Sequence, residues 1–177
     1  MDTTLQRIST TLANEFADLG DVEQITRAAL RLALAALLGG VIGFEREAKG
    51  KAAGLRTHML VTLGAALFIT VLQQSGAGDD ALSRVIQGIT AGIGFLCAGT
   101  ILKGDDTHRV RGLTTAAGLW LSTAIGIAVG SGHAATAVLG TLMAVLVLHA
   151  LRWFERHSAR TPPALRSATM EDEQHVP

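Results

Sequence analysis

The protein has 177 residues, of which 49% are hydrophobic and 17% are charged, and its formal net charge at pH 7 is zero. A zero net charge gives no indication of a nucleic-acid partner, because proteins that bind nucleic acid usually carry a basic excess. The apolar residues fall in blocks of about 17 to 20, the length that crosses roughly 30 Å of hydrocarbon. This grouping excludes an ordinary soluble domain and predicts an all-α membrane protein within a lipid bilayer.

Residues 1–24 are predicted to form an N-terminal leader. Apolar side chains recur there at spacings of three and four: Leu5, Ile8, Leu12, Phe16 and Leu19. This spacing places them on one face of a helix, and Gly20 is a natural stop. Two interpretations stay open, an amphipathic helix on the membrane surface and a partly disordered leader.

The membrane domain is predicted to span residues 25–154 and to contain five transmembrane helices. Their predicted bounds are 25–44, 58–72, 85–102, 113–129 and 133–151. The remaining residues, 155–177, are polar after two prolines and are predicted to form a disordered tail.

Basic residues are concentrated in alternate connections and in the tail. They are Arg46, Lys49, Lys51, Arg56, Lys103, Arg109, Arg111, Arg152, Arg156, Arg160 and Arg166. Basic residues near helix ends prefer the cytoplasmic side of a membrane. This distribution predicts a periplasmic N-terminus and a cytoplasmic C-terminus.

Glycines recur along the predicted helices, several of them four residues apart: Gly39, Gly43, Gly88, Gly92, Gly94 and Gly99. Small residues let helix backbones approach closely in lipid. We interpret these positions as helix-packing seams, and their faces also permit a homo-oligomer.

Two segments of the sequence resemble each other. Residues 40–44 and 91–95 both end in Gly-Phe, and residues 54–57 and 112–115 both begin Gly-Leu. We interpret the echo as two helical-hairpin repeats that run in the same direction, followed by a fifth helix. Coincidence among glycine- and leucine-rich helices is the alternative.

Charged and titratable residues between the apolar blocks form a candidate functional cluster: Glu45, Arg46, Glu47, Arg56, His58 and Arg111. In one interpretation these charges lie within the inner leaflet and face the bundle interior, where burying them is costly. In the other, Glu45 with Lys49 and Glu47 with Lys51 are ordinary helical pairs on a solvated extension. A pairing of Glu45 with Arg56 that locks two helices together is a third interpretation.

Threonines stand at the predicted starts of helices two and four: Thr57, Thr114 and Thr115. They are candidate caps. The two positive helix ends could attract a phosphate or carboxylate, or bind Glu45 and Glu47 internally. Adjacent loop carboxylates at 79–80 and 105–106 are interpreted as solvated, so no metal, cofactor or catalytic residue is predicted.

Four separated motifs carry a resemblance to a known family. They cover residues 39–47, 53–61, 92–102 and 110–117, together with Trp120. In this order they resemble the membrane domain of the MgtC/SapB family of bacterial inner-membrane proteins. The resemblance implies a multi-pass protein linked to growth at low magnesium and, in some members, to survival inside macrophages.

The resemblance also implies a function without chemistry of its own. It implies a protein that modulates another membrane complex, notably ATP synthase, so a regulatory protein is the first hypothesis. The alternative is a transporter of magnesium or another small ion that uses the charged cluster near the inner leaflet. An enzyme is not expected, because no phosphate loop, zinc spacing or activated nucleophile occurs.

Overall fold

The computed structural model describes residues 2–15, 21–102 and 111–158. These residues form six α-helices: α1 (Asp2–Glu15), α2 (Val22–Glu47), α3 (Leu55–Gln74), α4 (Asp79–Leu102), α5 (Leu113–Gly130) and α6 (Ala134–Ser158). No strand occurs in the described ranges. The predicted all-α class is confirmed.

Four of these helices are long and apolar enough to cross a membrane: α2, α3, α4 and α5. A shorter apolar helical segment, Ala134–Ala150, belongs to α6. Long apolar helices satisfy their own backbone groups in lipid, which is the requirement for spanning it. The chain is therefore a multi-pass membrane protein, and the predicted fifth span corresponds to this shorter segment.

The leader contains a helix, as the apolar spacing predicts. Helix α1 ends at Glu15, and its described side chains are exposed, including Leu5, Ile8 and Leu12. Residues 16–20, and with them the predicted stop at Gly20, lie outside the described ranges. Location of α1 on the membrane surface stays a prediction.

Most helix boundaries differ from those predicted, by one to seven residues, and three of the differences concern charged or capping positions. Helix α2 continues three residues beyond Phe44 to Glu47, because the charged residues keep a helical backbone. Helix α3 begins at Leu55 rather than at residue 58. Helix α4 begins at Asp79, so the predicted loop carboxylates are the first turn of a helix. Acidic side chains are favourable there because the first free N–H groups make a positive end.

Helices α2, α3 and α5 pack against one another, and α4 contacts α5 and α3. Large side chains that are almost fully buried in this packing include Ile42, Ile69 and Leu119. Half of the apolar window of α5 is buried, against 6% of that of α4. The core of the fold is thus the α2–α3–α5 group, and most of the surface of α4 is exposed.

The chain divides into two units, Met1–Val145 and Leu146–Pro177. The first unit contains α1 to α5 and the beginning of α6. The described part of the second unit is the C-terminal portion of α6. The predicted tail, apart from the helical residues up to Ser158, and the acidic pair at 105–106 lie outside the described ranges.

Candidate functional site

Two charged side chains are buried at the C-terminal end of α2. Glu45 is 7% exposed and Arg46 is 3% exposed. The Glu45 carboxylate forms ion pairs with Lys49 and, at 3.4 Å, with the Arg46 guanidinium. An isolated buried charge is very unfavourable, whereas a paired one is tolerated. Of the three interpretations of these charges, the one in which they face the interior fits Glu45 and Arg46, and the helical pair of Glu45 with Lys49 also forms.

Glu47 has a different role from its neighbour. Its side chain is on the exposed side of α2, and its Oε2 accepts a hydrogen bond from the Leu55 backbone N–H at 2.7 Å. A side-chain acceptor at the first turn satisfies one of the N–H groups that a helix leaves free. The Glu47 carboxylate therefore ties the end of α2 to the start of α3, whereas the predicted pairing was with Lys51.

The predicted threonine caps are wrong. The N-cap residues of α3 and α5 are Gly54 and Gly112, and neither has a side chain to form a cap bond. Gly112 has φ +94°, a left-handed conformation that favours glycine. A Cβ at Gly112 would also collide with the Thr100 carbonyl. The three threonines lie inside the first turns of these helices instead. Thr57 and Thr114 are exposed, and Thr115 is buried.

His58 lies in the α3–α5 interface, in the first turn of α3. It is fully buried, and its Nδ1 is 2.8 Å from the Ser122 hydroxyl of α5. Its Nε2 has no hydrogen-bond partner among the described residues. Thr62, one turn further along α3, donates its hydroxyl to the His58 carbonyl at 3.0 Å. The histidine is thus an interior group of the helix packing.

The predicted charged cluster is divided by the fold. Arg56 and Arg111 are both exposed, whereas Glu45, Arg46 and His58 are buried. Within the described ranges Glu45 is paired with its neighbours on α2, and no ion pair joins it to Arg56. The interpretation in which Glu45 and Arg56 lock two helices together is therefore wrong. Arg56 lies instead at the end of an apolar groove between α3 and α4.

Two of the predicted packing glycines are at close helix contacts. A Cβ at Gly39 would lie 2.6 Å from the His58 carbonyl oxygen, and one at Gly43 would lie 2.7 Å from the Leu55 Cα. Such distances leave no room for a side chain, so α2 and α3 meet backbone to backbone. Sequence analysis identified this seam correctly.

The glycines of α4 differ. No described atom lies within 4 Å of a Cβ placed at any of them: Gly88, Gly92, Gly94 and Gly99. The prediction of a packing seam is therefore wrong for these four positions within a single chain. The spacing of small residues shows which faces permit close contact, but the presence of a neighbour depends on the fold.

Arg31 is a structural residue that the sequence analysis missed. Its Nη1 donates hydrogen bonds to the Gln73 side-chain oxygen of α3 at 2.6 Å and to the Gly130 carbonyl of α5 at 2.8 Å. Basic side chains near a helix C-terminus satisfy its last carbonyls. Arg31 thus joins α2, α3 and α5 at the end opposite Glu45. The available sequence signal was a second arginine, one turn after Arg27, inside the predicted first membrane helix.

The described residues contain no group of three or more histidine, cysteine or acidic side chains able to hold a metal ion. The site consists of a paired charge cluster at one end of the helix group, the polar contact of His58 with Ser122 beside it, and the hydrogen bonds of Arg31, here called the arginine clamp, at the other end.

Comparison with known proteins identifies the relatives of this chain. The model of the MgtC family matches residues 32–157. The chain belongs to the MgtC family. The matched range includes every predicted site residue and begins one residue after Arg31.

Individual MgtC family members are similar over the same region. SrpB of Synechococcus elongatus is 43% identical over 71% of this chain and 75% of its own length. YhiD of Escherichia coli K12, whose name proposes magnesium transport, is 42% identical over 67% of this chain and 58% of its own length. MgtC of Brucella abortus is 47% identical over 68% of this chain and 50% of its own length. No solved structure matches the chain.

The match covers only part of the length of some relatives, which limits what those relatives imply about this chain. The matched region spans about half of Brucella MgtC and somewhat more of YhiD. The MgtC family membership therefore applies to the matched region of this chain, residues 32–157.

Proposed function

We propose that this chain is a regulatory protein of the bacterial inner membrane that acts on another membrane complex and contributes to magnesium homeostasis. In this proposal the N-terminus is periplasmic, the C-terminus is cytoplasmic, and the chain catalyses no reaction. The link to magnesium rests on the MgtC family and on the name of YhiD.

The observation that carries the proposal is the closed packing of the α2–α3–α5 group. The buried hydroxyls of Thr62 and Thr123 bond to carbonyls of their own helices, and His58 contacts Ser122 across one interface. Close backbone contacts at Gly39 and Gly43 leave no room for a side chain in the seam between α2 and α3. This packing favours a protein that binds a partner over one that conducts ions through its own interior.

The exposed surface of α4 supports the proposal that this chain binds another membrane complex. Phe95 is 84% exposed, and the glycines of this helix leave its backbone accessible to another helix. The partner suggested by the family resemblance is ATP synthase. Contact through α4 would leave the closed helix group unchanged.

Transport is the alternative, and one observation favours it. Charged groups within membrane helices are costly and often mark ion pathways, and Glu45 and Arg46 are buried charges of this kind. Opening the group along the polar contacts of His58 and Ser122 would be required for such a path.

Reconstitution into liposomes tests the proposal. We expect no magnesium, proton or phosphate flux above empty liposomes, with an ionophore as positive control and circular dichroism confirming folded protein. The double variant Glu45→Gln, Glu47→Gln should behave in the same way. Flux in the parent that the double variant lacks would refute the regulatory proposal and establish transport.

A second measurement addresses the partner. Tagged protein should co-purify with a membrane complex from cells grown at low magnesium, and a bulky substitution on the exposed face, Gly94→Leu, should reduce recovery of that complex. Retention of the same complex by Gly94→Leu would remove this part of α4 from the contact.

A further inference from the structure

An apolar groove runs along the outside of the helix group, between α3 and α4. Its volume is about 820 Å³, and Thr123 of α5 contributes to its floor. Three glycines in its walls, Gly64, Gly88 and Gly92, have no described atom within 4 Å of a Cβ position. The groove is therefore deep because these positions lack side chains.

The groove has the length of one membrane leaflet. Arg56 and Phe68 both line it and are 12 positions apart in α3. With a rise of about 1.5 Å per residue, this separation is about 18 Å along the helix. Half of a hydrocarbon core is about 15 Å thick. An occupant of this length would extend from the membrane surface to the middle of the bilayer, whereas a spanning helix needs about twice that distance.

The two ends of the groove differ in chemistry. Phe68 and Val85 line one end, and Arg56 and Thr57 line the other. Arg56 is exposed, and the described residues provide it with no ion pair. The hydroxyl of Thr123 bonds to the Leu119 carbonyl of its own helix, so it offers no donor to a polar occupant. The occupant must be apolar along its length and anionic at one end.

We propose that this groove binds an anionic phospholipid, with an acyl chain between α3 and α4 and the phosphate at Arg56. A guanidinium binds phosphate oxygens through two parallel hydrogen bonds, and the Thr57 hydroxyl lies next to it in the sequence. The inference is independent of the proposed regulatory function, because the groove and its charge are properties of this chain alone.

Native mass spectrometry of the full chain in detergent tests the proposal. Phosphatidylglycerol and phosphatidylcholine with identical acyl chains are added in equal amounts. One basic residue near an anionic headgroup favours binding by about fivefold, so the parent should retain about five times more phosphatidylglycerol. Arg56→Gln should retain the two lipids equally. Equal retention by the parent would refute the proposal.

Matched variants separate a specific site from general attraction. Arg27→Gln removes an exposed arginine that lies far from the groove in α2, and it should leave the preference unchanged. Gly92→Leu fills the groove and should lower retention of both lipids, whereas Gly94→Leu, on the same helix but outside the lining, should not. The proposal would be contradicted if Arg27→Gln changed the lipid preference as much as Arg56→Gln, or if Gly94→Leu lowered lipid retention as much as Gly92→Leu.

Two other occupants would also be detected. A dimer that Gly92→Leu dissociates would show that a second copy covers the groove and would overturn the lipid assignment. Inorganic phosphate should not displace phosphatidylglycerol at equal concentration, because it lacks the acyl chain. Displacement would show that the headgroup alone is recognised, and it would overturn the role of the groove.

Discussion

The α2–α3 and α4–α5 hairpins carry the same short motifs but pack differently. Gly43 and Gly94 both precede a phenylalanine, and both phenylalanines are largely exposed, Phe44 at 69% and Phe95 at 84%. At Gly43 the start of α3 lies against the backbone, whereas no described atom lies within 4 Å of a Cβ at Gly94. One hairpin is closed at this position and the other is open.

The comparison teaches that a small residue permits a helix contact without specifying one. Helix α2 has α3 and α5 as neighbours, and its glycines Gly39 and Gly43 lie against α3. Helix α5 uses its own glycines in the same way, since a Cβ at Gly130 would lie 2.7 Å from the Ala66 carbonyl oxygen. The glycines of α4 have no described atom within 4 Å of a Cβ position, so substitution by alanine there should have the opposite effect.

The largest expected effect is at the closed seam. Gly39→Leu forces α2 and α3 apart, because even a methyl group there would collide with the His58 carbonyl. Overpacking of this kind costs about 3 kcal/mol or more, and we expect no monodisperse protein after purification in detergent. Gly94→Leu is the matched control and should purify like the parent. Similar yields for the two variants would show that the closed and open positions do not differ.

Glu45→Gln should have the next largest effect. The substitution removes the negative charge between Lys49 and Arg46, whose side chains are 14% and 4% exposed. Removing one member of a buried ion pair costs about 3 kcal/mol, measured as unfolding free energy by titration with sodium dodecyl sulfate. Glu47→Gln is the control, because its exposed amide oxygen can still accept from the Leu55 N–H. If Glu47→Gln lowered the unfolding free energy as much as Glu45→Gln, the buried ion pairs of Glu45 would not be the cause of the loss.

Arg31→Gln should weaken the opposite end of the closed group. It removes hydrogen bonds from a charged donor to Gln73 and to the Gly130 carbonyl. Bonds of this type contribute about 2 kcal/mol, which the same titration would detect. Arg27→Gln removes only an exposed helical pair with Glu23 and should cost less than about 0.5 kcal/mol. If both arginine variants were equally stable, the clamp would have no energetic role.

The smallest effect should have the opposite sign. Gly94→Ala adds a methyl group where no described atom lies within 4 Å, so it introduces no collision. Alanine is more favourable than glycine inside a helix by about 0.5 to 1 kcal/mol. We expect a gain of that size in unfolding free energy, whereas Gly39→Ala should lose stability. A loss at Gly94→Ala would indicate a close neighbour at α4.

The success of sequence analysis differed from residue to residue. The Gly39 and Gly43 seam was predicted because small residues four apart lie on one helix face. The threonine caps were not found because the chain turns at Gly54 and Gly112, and a carboxylate eight residues away from Leu55 satisfies its N–H. Arg31 gave only the signal of a charge inside a predicted membrane helix. Its partners are 42 and 99 residues distant in sequence.

The sequence by itself determined the fold class, the family and the positions of the apolar helices, because hydrophobic length and local motifs are properties of consecutive residues. The two-repeat organisation and the membrane orientation stay predictions. Only the tertiary structure decided which charges are buried, since Glu45 and Arg56 have similar sequence surroundings but different neighbours. It also decided which glycines are covered. Burial depends on the helices packed against a face, and residues distant in sequence supply those helices.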